Sequence, residues 1–153
     1  MLYGENLSEE VVSVAQRFMV FSNAQWSILA NLFQASSVLH NLQADSTELN
    51  LKVVKAHADI NELMFLTIST FNEIISKIGE YCDLSEDAFA FLTDDLERAI
   101  SLSDQIAKGV NDGYTDAVKG GVTVLKNKLK EIGEKVKRHL KTGVGENSDG
   151  LHR

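Results

Sequence analysis

Histidine is the residue type in this chain best suited to metal, haem or phosphoryl chemistry. There are four: His40, His57, His139 and His152. A shared metal needs two imidazole nitrogens at about 2 Å from one ion. If the chain folds back at Asp45, His40 stands five residues before the turn and His57 twelve after it. A helical rise of 1.5 Å per residue then offsets the two axially by roughly 10 Å, which predicts no shared metal. His152 falls near the end of the sequence, and no Glu-x-x-His pair of the di-iron bundle type occurs. Ligation of a haem or other ligand by one histidine is an alternative. A partly exposed helix residue is the simpler reading, so no cofactor and no metal are expected.

Other reactive groupings lack the spacing their chemistry needs. "HADINE" (57–62) does not place two histidines four apart, as zinc proteases do. "GGVT" (120–123) lacks the lysine and the preceding strand of a phosphate-binding loop. "RHLKTG" (138–143) has the residue types of a phosphotransfer histidine site, but that histidine belongs mid-helix within a bundle. The single cysteine, Cys82, excludes an internal disulfide framework and suits a reducing, cytoplasmic setting. Ser, Thr, Asp and Glu are plentiful without converging on a site. No catalytic residues are assigned, and the expectation is a non-enzymatic protein.

The elements that would position any such residues are helices. The 153 residues include no proline, which breaks helix interiors, and their apolar and charged contents are those of a globular domain. In the first helix Val11, Val14, Phe18, Phe21, Gln25, Ile28, Leu32, Ala35, Leu39 and Leu42 alternate between three- and four-residue spacing, a coiled-coil-like seam broken by Gln25. Asn6 with Glu9, Asp45 with Glu48, and Asp83 with Glu86 each have capping-box spacing and mark the starts of three helices. A second helix carries Val53, Ala56, Ile60, Leu63, Met64, Phe65, Ile68, Phe71, Ile74, Ile75 and Ile78, a stripe wide enough for two neighbours. A third shows Phe89, Leu92, Leu96, Ala99, Ser103, Ile106 and Val110, and a fourth Tyr114, Val118, Gly121, Leu125, Leu129, Ile132, Val136 and Leu140. Gly120 and Gly121 predict a bend or a late start for the fourth, and Gly143 its end. Short turns favour an all-α, antiparallel up-down-up-down four-helix bundle over 1–143, with 144–153 as a flexible tail. The alternative is a three-helix core with a separately docked or mobile fourth helix.

Charge is sorted along the chain. The net charge of -7 argues against nucleic acid as a partner. Yet 119–141 hold eight Lys or Arg against Glu131 and Glu134, while 80–104 hold eight acids against Arg98. The simple reading places an acidic third helix beside a basic fourth. The functional reading gives the basic face (Lys126, Lys128, Lys130, Lys135, Lys137, Arg138 and Lys141) to an anionic membrane or acidic partner.

Residues 18–44 contain no Asp, Glu, Lys or Arg. The stretch is long enough to cross a bilayer, but Ser22, Asn23, Gln25, Asn31, Gln34 and further polar residues argue against a lipid-exposed span. Beside its seam runs a second column, Val12, Met19, Trp26, Phe33 and His40, each seven apart. Either the first helix is central and covers this column within the bundle, or the column meets a partner. Loss of charge with aromatic and Met enrichment is the composition of interface cores. The expected interface is Met19, Trp26 and Phe33 with Asn23, Ser27, Asn31 and Gln34, in a homo-oligomer or against a helical protein partner. "FSNAQWSILANLF" (21–33) also resembles the first helix of phasins, helical proteins that coat polyester storage granules. That resemblance implies adsorption to a lipid or polymer granule surface as the alternative role.

Overall fold

A computed structural model describes the backbone of 2–45, 51–81, 85–113 and 115–152, and the side chains of 12, 14–42, 51–77, 85–113 and 118–138. Four helices account for it: α1 (Leu2–Asp45), α2 (Leu51–Tyr81), α3 (Glu86–Asn111) and α4 (Thr115–His152). They form an all-α four-helix bundle. Asn6 and Asp45 both lie inside α1, which begins at Leu2 and ends at Asp45, so neither starts a helix as its capping-box spacing predicts. The contacts of Tyr114, Leu140 and Lys141, and the side chains of 144–153 lie outside the described residues, as does Cys82. The α4 backbone is helical past Gly143, to His152.

Residue pairs fix the direction of each helix. Gln25 bonds Asn72 and Ser36 bonds Asn61, so α1 and α2 are antiparallel. Asp95 meets Lys128 and Lys135 while Ile106 meets Gly121, so α3 and α4 are antiparallel too. Arg17 over Phe89 and Asn31 on Ser103 share one sequence offset, which makes α1 and α3 parallel. Glu62 with Lys126 and Glu73 with Lys137 do the same for α2 and α4. Directions alternate along the chain as expected, but the order around the bundle is α1, α2, α4, α3. Consecutive α2 and α3 are therefore diagonal partners, and α1 packs on α2 and α3 but not on α4 among the described residues. The fourth helix is docked, against both α2 and α3.

The core follows the periodic residues. Phe21, Ile28, Leu32, Ala35 and Leu39 of α1 are fully buried against Ile60 and Phe71 of α2, Leu92, Leu96 and Ile106 of α3, and Leu125, Leu129, Ile132 and Val136 of α4. Two seam positions depart from expectation: Phe18 and Leu42 are 45% and 41% exposed. A straight helix drifts about 20° per heptad against a 3.5-residue repeat, so away from the middle of α1 the seam rotates out. Phe18 turns away from the core and Ala24 replaces Gln25 inside it. Leu42 stands at the bundle's end. On α2, Phe65 and Ile68 also leave the expected stripe and face out.

Helix ends obey local chemistry. The N-cap of α3 is Ser85, in extended geometry, whose Oγ accepts from the Ala88 N–H at 3.1 Å. At the other end Gly113 takes φ +85° and its N–H reaches the Val110 carbonyl. The left-handed conformation there is one that glycine adopts without a steric penalty.

The fourth helix neither starts late nor breaks at Gly120 and Gly121; it is helical from Thr115. Gly121 is where α4 approaches α3: an added Cβ would lie 2.8 Å from Ile106 Cγ1, whereas one at Gly120 meets nothing within 4 Å. The two glycines therefore respond oppositely to alanine. Gly120→Ala is expected to stabilise by about 0.5–1 kcal/mol through backbone entropy. Gly121→Ala gains the same term but adds overpacking of about 1–3 kcal/mol, so its urea midpoint falls while that of Gly120→Ala rises.

Candidate functional site: the uncharged face of α1

The charge-free stretch separates into three strips. The inner strip is the buried core. The flanking strips carry uncharged polar residues that bond uncharged groups on the neighbouring helices. On the α2 side, Gln25 Nε2 donates to Asn72 Oδ1 at 3.0 Å and Ser36 Oγ donates to Asn61 Oδ1 at 3.0 Å. His57 Nε2 lies 3.2 Å from the same Ser36 oxygen. On the α3 side, Asn31 Nδ2 donates to Ser103 Oγ at 2.9 Å, and fully buried Ser103 passes its own proton to the Ile100 carbonyl at 2.7 Å. At the half-buried Asn31–Ser103 and Ser36–Asn61 pairs, amides and hydroxyls close the contact without the desolvation penalty of a charge. This accounts for Asn31 and Ser36, whereas the Gln25–Asn72 pair is exposed. Asn31 thus belongs to the α1–α3 seam, which corrects its expected place on an outer face.

The outer strip is the second column. Val12, Met19, Trp26 and Phe33 are 47%, 59%, 71% and 64% exposed, and His40, Asn23, Ser27 and Gln34 are exposed with them. The reading in which α1 is central and covers this column internally is overturned, because α1 meets two helices and both lie on its other sides. Two further residues join the strip. In the register set by Gln25–Asn72 and Ser36–Asn61, Leu29 is level with Ile68 and Phe33 is within one residue of level with Phe65. At 100° per residue, Phe33 lies about 140° from Ile28 on α1, and Phe65 about 140° from Ile60 on α2. Both rotate past the polar flank onto the outside of the same helix pair. Phe65 is 71% exposed and Ile68 38%. Their sequence spacing alone assigns them to the α2 core stripe; only the register reveals them as an extension of the α1 face.

The basic residues of α4 are largely committed to neighbours. Lys128 and Lys135 close on Asp95 of α3 at 3.3 and 2.8 Å and on Glu131 at 3.0 Å each. Lys126 reaches Glu62 at 3.1 Å and Lys137 reaches Glu73 at 3.5 Å, both on α2. The acidic and basic helices do lie side by side, and α2 shares the basic helix. Lys130 is exposed beside this network, and Arg138 lines an α3–α4 cleft of about 560 Å³ with Phe91, Asp94 and Asp95.

Hydrogen bonds from Lys128, then Lys135, hold the Glu131 carboxyl below its ordinary 4.5. Bonds to Glu131 raise Lys128, and bonds to Asp95 raise Lys135, above the ordinary 10.5. The carboxylate contribution is present above its unfolded pKa and is lost as pH falls through the lowered folded value. The lysine contributions are present below their unfolded pKa and lost as pH rises through the raised values. The network is thus intact at neutral pH. Asp95, with its side chain 14% exposed, sits between the exposed and buried limits for ion pairs. Asp95→Ala is expected to lower stability by on the order of 1–2 kcal/mol at pH 7. Glu62→Ala, at a side chain 67% exposed, should lose less than about 0.5 kcal/mol by the same urea titration.

Among the described residues no three His, Cys, Asp or Glu groups converge as a metal cluster, and no helix is long and apolar enough to cross a membrane. One sequence expectation about the histidines fails. The His40 and His57 rings are 5.9 Å apart, centroid to centroid, at 51°. The error was the fold-back point: α1 continues to Asp45 and α2 begins at Leu51, which brings the two histidines level. Comparison with protein-family models, with curated protein sequences and with solved structures gives no match.

Proposed function

We propose that this protein is a non-enzymatic helical adaptor or structural module that self-associates through the outer face of α1, joined by Phe65 and Ile68 of α2. The observation that carries the reading is the exposed column Val12, Met19, Trp26 and Phe33, seven residues apart, within a helix uncharged from 18 to 44. Large exposed side chains in one stripe mark a contact surface rather than scattered surface residues.

A second copy is the occupant that charge favours. The chain carries a net charge of -7, so most approaches of two copies bring like charges together. Between 18 and 44 this face brings none. A seven-residue repeat is also the spacing at which one helix packs along another, and a self-complementary stripe suits two-fold assembly. The setting we assign is the cytoplasm, where a single cysteine stays reduced.

Solution mass by sedimentation equilibrium tests the reading: a monomer of 16.9 kDa at all concentrations would overturn it. The alternative, a coat on a lipid or polymer granule, draws on the same face and on the phasin resemblance of 21–33. It calls for a monomer in solution that co-sediments with polyester granules or vesicles. Absence from the pellet at low salt removes it.

A further inference from the structure

We propose that the groove between α2 and α4 is a binding site for a small amphiphilic anion, an apolar chain carrying one carboxylate. No described residue of α1 lines it, and it stands independently of the self-association reading. Its first support is the cavity. A cleft of about 410 Å³ lies between the two helices, within the range of about 300–1,000 Å³ usual for small-molecule sites. Leu63, Leu66 and Val122 give it an apolar lining, with Leu63 buried and the other two half-buried.

The second support is charge. Lys55, Lys119, Lys126 and Lys130 line the cleft with Asp59 and Glu62. Lys126 is committed to Glu62 at 3.1 Å. Among the described residues the other three lysines have no ion-pair partner, so three uncommitted cations outnumber the one remaining acid, Asp59. Thr123, also in the lining, spends its hydroxyl proton on the Lys119 carbonyl, which leaves the lysines as the donors for an anion. The third support is register. Glu62 pairs with Lys126, 64 residues on, and Glu73 with Lys137 at the same offset. That offset sets Lys55 level with Lys119, on opposite walls at one end of the cleft. Lys130 stands roughly 16 Å further along α4, level with Leu66. Two like charges level across parallel helices repel, and an anion between them turns that repulsion into attraction. With its head between Lys55 and Lys119, a ligand lays its chain along Val122, Leu63 and Leu66. An anion without the chain leaves this lining in water, and a neutral chain leaves the lysines unanswered, so the groove selects for both together.

The test is a titration of the full chain with octanoate, read by backbone amide NMR and by the emission of Trp26, the only tryptophan. Octanoate should bind saturably and shift the amides of Leu63, Leu66 and Val122. Acetate, the head alone, and 1-octanol, the chain alone, should each bind about fivefold or more weakly. Lys55→Gln and Lys119→Gln should each weaken octanoate binding about two- to fivefold, and the double variant about tenfold. Lys108→Gln, on α3 and outside the cleft, should bind as the parent does. Lys55 and Lys119 are exposed, so both variants should fold, and thermal unfolding without ligand verifies it. Parent-like octanoate affinity in the double variant overturns the proposal. So does 1-octanol or acetate binding as tightly as octanoate, a response confined to Trp26 and the α1 amides, or the absence of saturable binding.

Discussion

Trp26→Lys should convert an associating protein into a 16.9 kDa monomer without altering its fold. Trp26 lies at the middle of the Val12 to Phe33 column and is 71% exposed, so a lysine there has water to extend into and no core to disturb. Within a self-associated pair the same lysine would be buried opposite its symmetry mate, bringing two cations together in a desolvated interface. Central aromatic anchors of this kind lose at least about 2 kcal/mol on truncation. At 1.4 kcal/mol per factor of ten, that weakens dissociation constants on the order of 30-fold or more. Sedimentation equilibrium reads the mass, and the melting curve of the dilute protein should be unchanged. Phe33→Lys and Phe65→Lys should act in the same direction. Assembly of Trp26→Lys with parent affinity would remove the face from consideration. Asn31→Lys is the instructive contrast: it breaks the bond to buried Ser103, so it should lower folding stability as well.

Phe21→Ala should have the opposite profile, a large loss of folding stability. Phe21 is fully buried, packs at 6.2 Å against the tilted Phe89 ring, and lies beneath the Arg17–Phe89 contact that sets the parallel register of α1 and α3. Removing a buried phenyl ring destabilises by about 3–5 kcal/mol through lost transfer energy and the cavity left behind. Against a typical stability of about 5–15 kcal/mol, much of the folded margin is gone. Urea unfolding should show a sharply lower midpoint at unchanged slope. Trp26→Ala, only five residues on, should move the midpoint by less than about 0.5 kcal/mol when measured on the monomer. A parent-like midpoint for Phe21→Ala would mean that α1 is not held as described.

The contrast between these residues shows what periodicity encodes. The inner seam of α1, the α3 stripe and the α4 stripe were legible because a helix that buries one side repeats every three to four residues. Which helices touch was not legible. The sequence says nothing of α2 and α3 lying on a diagonal, and that arrangement makes α3 rather than α4 the second neighbour of α1. It also hid Phe65 and Ile68, whose spacing fits a core stripe until the register rotates them outward. The histidine pair was missed for a related reason: axial level depends on where the chain reverses, and a five-residue error in the turn shifts a partner by more than a helical pitch. Ser85 was overlooked as the α3 cap because Asp83 with Glu86 offered the more conspicuous pattern. The flanking amides could have been suspected, since uncharged polar residues at half-buried positions call for uncharged partners.

The order α1, α2, α4, α3 has a kinetic consequence. The bundle is two antiparallel hairpins, α1–α2 and α3–α4, whose mutual contacts join residues such as Asn31 and Ser103, 72 apart, and Glu62 and Lys126, 64 apart. Each hairpin can collapse on contacts local to itself, but neither has a complete core until the two dock. Docking of the two hairpins is then the closure expected to be slow, slower than in a bundle whose successive helices all touch. Mutations at the docking seams, Asn31 with Ser103 or Phe21 with Phe89, bear on that closure, whereas those at Gln25 with Asn72 bear on the hairpin that precedes it.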